Sequence, residues 1–230
     1  MTTSSVRSSA WLIDLVFPPR CVACGRPADT LCAACRARLR PLSPPQCNRC
    51  GAPTAWPVER CRECAGRRLA FARARAATVY DGPARAVVRA WKERGLRRVA
   101  TLAADLVVDR VERAAADVIT YIPPDSVRQL RRGAHPAELL AEELGRRWGL
   151  EAASLLGRRA SGDRQTGLRY AERSRNVRGA FVALSADVPR QVLLVDDVYT
   201  TGSTASAAAT ALRAGGANRV EVVTFARVVR

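Results

Sequence analysis

The chain has 230 residues, 48% of them hydrophobic, and its 38 Lys and Arg against 21 Asp and Glu give a net charge of +17. This size and apolar content suit one α/β core with a small appendage and exclude a disordered chain. No run approaches the roughly 18 apolar residues of a membrane span, and the charge favours phosphorylated or nucleic-acid partners without bearing on fold.

In chain order, the stretch from Ala10 to Phe17 is apolar but interrupted by Asp14, and it runs directly into Pro18, Pro19, Arg20 and Cys21. It lacks a small-residue cleavage site and reads as a docking segment or short helix, not a signal peptide. A cytoplasmic location is expected on that basis. Eight cysteines then fall within the first 64 residues as four Cys-x-x-Cys pairs: Cys21/Cys24, Cys32/Cys35, Cys47/Cys50 and Cys61/Cys64. In a reducing compartment that pattern favours metal over disulfides. Cys21 and Cys47 open similar phrases 26 residues apart, each with a glycine after the second cysteine and a proline two residues later. Zinc takes four thiolates in a tetrahedron, so four pairs imply two closed, structural Zn²⁺ sites. The repeat assigns Cys21, Cys24, Cys32 and Cys35 to one ion and Cys47, Cys50, Cys61 and Cys64 to the other. A cross-braced pairing of first with third pair stays open. Residues 1–70 are therefore read as a small zinc module and residues 71–230 as the second domain.

From Ala76 the pattern alternates between strand and helix. Strands are predicted over Ala76 to Tyr80, Val118 to Ile122, Ala153 to Leu156, Val192 to Val195 and Val220 to Val228. Helices are predicted over Ala84 to Arg94, Val99 to Ala116, Pro136 to Trp148 and Thr204 to Ala214. Alternation of this kind specifies a parallel sheet with helices on both faces, and ligands at the C-terminal strand ends. The polar segment 161–178 reads as a long loop, a candidate lid carrying Arg164, Gln165, Arg169, Arg173 and Asn176.

The segment from Gln191 to Thr204 carries the most chemistry. A buried strand leads into adjacent carboxylates, Asp196 and Asp197. A hydroxyl- and glycine-rich loop follows: Thr200, Thr201, Gly202, Ser203 and Thr204. Free amides and the positive end of a helix suit a phosphate, and paired carboxylates suit sugar hydroxyls. Together they point to a phosphorylated sugar. Arg128, Arg131 and Arg132 follow the Val118 strand and could neutralise a diphosphate by forked hydrogen bonds. His135, the only histidine, reads as a cap or flank of the helix opened by Pro136.

The Val192 to Thr204 segment resembles the phosphoribosyl-pyrophosphate motif of type I phosphoribosyltransferases. The whole chain is similar to the ComF family, a double zinc ribbon followed by a phosphoribosyltransferase-like domain. The similarity includes the entry from Leu12 to Cys21, the cysteine pairs, Trp91 to Gly95, Arg132-Gly133, Glu138 to Ala141, and Gln165 to Phe181. The resemblance implies that Asp196 and Asp197 bind the ribose hydroxyls, with catalytic consequence, and that Thr200 to Thr204 hold the 5′-phosphate. It also implies that the loop bearing Arg128 and Arg132 receives the pyrophosphate and that the segment bearing Gln165 is the mobile catalytic loop. Where the family usually shows Arg-Gly-Phe-Asn-Gln-Ala, this chain has Arg132, Gly133, Ala134, His135, Pro136 and Ala137.

The expected ligand is phosphoribosyl pyrophosphate with Mg²⁺, or a related ribose 5-phosphate compound, and transfer to a nitrogen nucleophile is one outcome. The family is linked to competence and DNA uptake. The alternatives are a non-catalytic nucleotide or phosphoribosyl sensor, and a protein that handles single-stranded DNA with a helicase-like motor partner. Aromatic residues make up only 5% of the chain, so few stacking platforms are expected.

Overall fold

The computed structural model describes residues 18–124, 135–159 and 179–230. Arg128, Arg131, Arg132, Gln165, the 161–178 loop and the Ala10 to Phe17 segment lie outside these.

A short helix α1 (Ala33–Ala37) sits in the cysteine-rich region. Then follow β1 (Arg73–Val79), α2 (Gly82–Arg94), α3 (Arg98–Arg110), β2 (Val118–Tyr121), α4 (Pro136–Trp148), β3 (Leu156–Arg158) and β4 (Phe181–Ala183). The chain closes with β5 (Gln191–Tyr199), α5 (Ser203–Ala214) and β6 (Arg219–Arg227). Four strands form one sheet in the order β1-β6-β5-β2, with every neighbouring pair parallel. All four therefore end on the same side.

Side-chain alternation along β5 explains why helices cover both faces. Leu193 and Val195 enter one core with Val87, Trp91, Leu106, Leu140 and Leu144 of α2, α3 and α4. Val192 and Leu194 enter the other, with Ala208 and Leu212 of α5. That second core also takes Cys47, Cys50, Cys64, Leu69 and Phe71, so the second cysteine unit is packed onto the sheet rather than hung from it. A fully buried Val or Leu is worth about 1.5–3 kcal/mol over exposure, which makes strand register expensive to change.

Several elements differ from the sequence expectation. β5 does not stop at Val195; it continues through Asp196 and Asp197 to Tyr199, with Asp196, Val198 and Tyr199 in register with Thr224, Ala226 and Arg227 of β6. Helix α3 ends at Arg110, although residues up to Ala116 favour helix. Val111 turns extended and is buried, because the chain must return for Asp117 to donate its N–H to Gln191 beside β2. The expected strand at Ala153 to Leu156 is displaced to Leu156–Arg158, where it pairs antiparallel with β4. Upstream, the chain runs along the edge of β2, with Ile119 donating to Glu151 and Ala153 donating to Ile119. Helix α2 ends as expected at Gly95, which takes the left-handed conformation (φ 62°) and donates to the Trp91 carbonyl.

Candidate functional site

The C-terminal ends of the parallel strands frame a cleft of about 350 Å³. Tyr80 enters it from the end of β1, Ile122 to Pro124 from the end of β2, and Asp196, Asp197 and Val198 from β5. Lys92 of α2, His135 at the start of α4 and Arg158 of β3 also line it.

The two carboxylates differ. Asp197 is buried, and its Oδ2 lies 2.5 Å from Nζ of Lys92 in a close ion pair. Asp196 keeps partial exposure to the cleft and accepts the Asp197 backbone N–H at 2.9 Å. Loss of hydration, followed by the adjacent Asp197 charge, pushes the Asp196 carboxyl well above its ordinary range. Burial works to lower the Lys92 pKa, but Asp197 and Asp196 outweigh it, so the ammonium is held charged. His135 is driven toward the neutral form by burial, against the pull of Glu138 and Asp197. Its Nδ1 has no hydrogen-bond partner among the described residues. Tyr121, beside it, donates to Glu138 at 2.8 Å.

The loop after β5 runs into α5. Gly202 sits at the helix cap with φ 73°, which only glycine adopts easily. The space beside it is closed, since a Cβ there would lie 2.2 Å from the Tyr199 hydroxyl oxygen. Thr200 and Thr204 line the cleft with the acids. Thr201, Gly202 and Ser203 do not. The carbonyl of Thr201 and Oγ of Ser203 are instead engaged by Arg67 of the cysteine-rich region. The cleft thus gathers four of the expected residues: Asp196, Asp197, Thr200 and Thr204.

Lys92 is the cleft residue that motif reasoning left without a role. One signal marked it: it is the single lysine in a chain whose other basic residues are all arginine. Arg158 and Tyr80 carried no such mark, because their places depend on how β3 and β1 end.

The eight cysteines form two clusters. Cys21, Cys24, Cys32 and Cys35 converge, as do Cys47, Cys50, Cys61 and Cys64, with all four sulfurs of each set within 4.8 Å of one another. Sulfur separations are 3.6 Å for Cys24–Cys32, 3.6 Å for Cys47–Cys64, 3.5 Å for Cys50–Cys61 and 4.0 Å for Cys61–Cys64. A tetrahedron with Zn–S bonds of about 2.3 Å has edges of about 3.8 Å, so the clusters fit zinc. The pairing is by successive unit, not cross-braced. Burial opposes ionisation of Cys47, but the backbone N–H groups of Cys50, Cys61 and Arg49 bring its thiol down to about 7. Cys21 falls to about 6 in the same way, with donors from Cys32, Ala23 and Cys24.

A double zinc ribbon family model matches residues 12–65. Competence protein F of Haemophilus influenzae is 33% identical over 141 residues, which is 60% of this chain and 62% of that protein. DNA utilization protein YhgH of Escherichia coli is 34% identical over 117 residues, 49% of this chain and 50% of that protein. The chain thus spans three-fifths of one relative and half of the other. Among solved structures, glutamine phosphoribosylpyrophosphate amidotransferase of B. subtilis, complexed with ADP and GMP, overlaps 55% of this chain and 25% of its own. The TM-score is 0.36 at 23% identity. TT1426 of Thermus thermophilus overlaps 57% of this chain and 83% of its own, with a TM-score of 0.31 at 20% identity. No described helix is long and apolar enough to cross a membrane.

Two measurements check the site. Metal analysis of the purified chain is expected to give two zinc ions, and a serine at Cys32 or at Cys61 is expected to remove one while the other stays. The single histidine makes NMR titration clean, and His135 is expected to titrate below the ordinary value of about 6.5. Because folding favours its neutral form, stability should fall as pH drops through about 6.5 and level off below the folded pKa. A midpoint above 6.5 would contradict the buried, neutral imidazole.

Proposed function

We propose that this chain binds phosphoribosyl pyrophosphate, or a related ribose 5-phosphate compound, in the cleft at the strand ends. The observation that carries this reading is the meeting of Asp196 and Asp197 with Thr200 and Thr204, at the start of α5, in one cleft that also holds Lys92 and Arg158. Asp197 would accept from a ribose hydroxyl. Asp196, beside it in the same cleft, would accept from the neighbouring hydroxyl. The 5′-phosphate would rest against the loop and the first turn of α5, where free amides and the helix dipole favour an anion. Lys92 faces the same space and supplies a positive charge for the diphosphate. Mg²⁺ would arrive with the ligand, held mostly by its diphosphate and hydroxyl oxygens, since it keeps few protein ligands.

Such a bound ligand permits phosphoribosyl transfer. The bond from the anomeric carbon to diphosphate would break with its electron pair leaving on oxygen, and a nitrogen lone pair would form the new bond. The chain's part would be positioning and charge stabilisation. A sensor would use the same contacts without the nucleophile. Arg128, Arg132 and Gln165, if they act as the resemblance implies, would meet the diphosphate from outside the described residues.

Calorimetric titration with phosphoribosyl pyrophosphate and Mg²⁺ is expected to show micromolar binding. Asp197→Asn should weaken it about tenfold or more, the scale of a hydrogen bond to a charged group. No binding by the natural chain would contradict the reading. Pyrophosphate release with a panel of nucleobases and amines then separates transferase from sensor.

A second reading, contact with a nucleic-acid strand, is favoured by a different surface. Arg49, Arg60, Arg73, Arg75 and Arg219 line a cleft of about 380 Å³ against the second cysteine unit. Burial lowers the pKa of Arg49 and Arg75, with Arg60 and Arg73 respectively adding like-charge repulsion that an anion would relieve. Arg60 also borders an apolar hollow that holds Trp56, which is 68% exposed and suited to stacking. The names of the two bacterial relatives, one for competence and one for DNA utilization, support a DNA-related role. Single-stranded DNA binding should weaken steeply with salt and fall further in Arg60→Glu/Arg75→Glu, while salt-insensitive binding would contradict phosphate contact here.

A further inference from the structure

The loop that follows β5 is held from outside the sheet. Arg67 lies three residues after Cys64. One guanidinium nitrogen donates to the Thr201 carbonyl at 2.5 Å and the other to Ser203 Oγ at 3.2 Å. Close by, the Ala70 N–H donates to Ser206 Oγ at 3.0 Å. Ser206 is in the first turn of α5, and its own N–H returns to the Gly202 carbonyl at 2.8 Å. The Ser206 hydroxyl donates in turn to the Arg68 carbonyl at 3.5 Å, so four hydrogen bonds tie segment 67–70 to segment 201–206.

The second cysteine unit sets where Arg67 stands. Its backbone N–H donates to the Cys64 carbonyl at 3.2 Å, and its carbonyl accepts from Arg60 at 3.1 Å. The same unit reaches the other end of the loop through Arg227. That guanidinium donates to the Cys50 carbonyl, pairs with Glu63 at 2.7 Å, and stacks 4.6 Å over the ring of Tyr199. Tyr199 in turn fills the space beside Gly202. Among the described residues the first cysteine unit makes no such contact: Val22 and Leu31 pack with the core of α2, α3 and α4 on the opposite face of the sheet. Thr200 is exposed and Thr201, Ser203 and Thr204 are half-buried, and none of them carries an aliphatic or aromatic side chain that could anchor the loop by apolar burial.

We propose that Arg67 is a positioning residue for the 200–204 loop, and that the second four-cysteine unit, not the first, holds this loop ready for its ligand. The clasp itself stands on the contacts above; its effect on ligand affinity rests on the ribose-phosphate reading. Arg67 acts through the Thr201 carbonyl and the Ser203 hydroxyl, fixing the path of the chain where amides must converge on a phosphate. A lysine at this position keeps the charge but cannot reproduce the fork.

Hydrogen–deuterium exchange of the 199–206 amides in the full zinc-loaded chain tests this without any ligand. Arg67→Ala should speed exchange about tenfold, the scale expected for lost charge-assisted hydrogen bonds, with both zinc ions retained. Arg67→Lys should fall between. Arg26→Ala, on the first unit, should match the natural chain. Cys61→Ser should lose one zinc and loosen the loop, whereas Cys32→Ser should lose one zinc and leave the loop as it was. Natural exchange in Arg67→Ala, or equal loosening by Cys32→Ser and Cys61→Ser, would overturn the proposal. Should Cys61→Ser fail to fold, the Arg67 pair decides. Phosphoribosyl pyrophosphate affinity should drop in Arg67→Ala by a similar factor. If the natural chain does not bind that ligand at all, the ribose-phosphate reading falls, and the exchange data still decide the clasp.

Discussion

Arg227 is the contact on which the arrangement depends. It sits at the end of β6 with 1% of its surface exposed, a cation placed where water cannot solvate it. An isolated buried charge costs several kcal/mol, so such a group persists only with close partners. Its partners are the Cys50 carbonyl, the Glu63 carboxylate and the Tyr199 ring. One side chain thereby joins the last strand, the second cysteine unit and the strand that bears both acids. Removing Glu63 would leave the cation buried and unpaired, which costs more than the pair itself contributes.

That junction explains why the cysteine-rich region is more than an appendage. Each unit gathers four thiols that a zinc ion would hold together, as in small metal-stabilised domains. Cys47, Cys50 and Cys64 are also buried in the same core as Leu194 and α5. Metal binding, sheet packing and the loop around Gly202 are therefore parts of one connected structure. The cleft carries a corresponding electrostatic tension. Two adjacent carboxylates at a strand end repel each other, Lys92 compensates one of them, and the other rises in pKa. A ligand bearing hydroxyls and phosphates would satisfy both acids and bring the anionic groups that Lys92 and Arg158 face.

Much of this was legible in the sequence. The apolar run from Val192 to Val195, the acids and the glycine-bearing loop are consecutive, so the strand, the pocket edge and the helix start needed no long-range information. The Cys-x-x-Cys pairs were equally local, and their 26-residue repeat anticipated the pairing by unit. What the sequence hid was set by tertiary contact. The helix ending at Arg110 contains no breaker, and only the need to reach β2 stops it. Lys92 meets Asp197, and Arg67 meets Thr201, across long sequence separations that no periodicity records. Trp56 shows a related limit, for a low aromatic content does not reveal that one of the few aromatic rings is exposed beside an arginine cleft.

The central claim is that the strand-end cleft takes a ribose 5-phosphate group, and a crystal structure of the chain grown with phosphoribosyl pyrophosphate and Mg²⁺ tests it most directly. The account predicts ribose hydroxyls within hydrogen-bond distance of Asp196 and Asp197, and the 5′-phosphate against Thr200 to Thr204. Phosphate density confined to the arginine cleft around Arg60 and Arg75, with the strand-end cleft empty at saturating ligand, would contradict it.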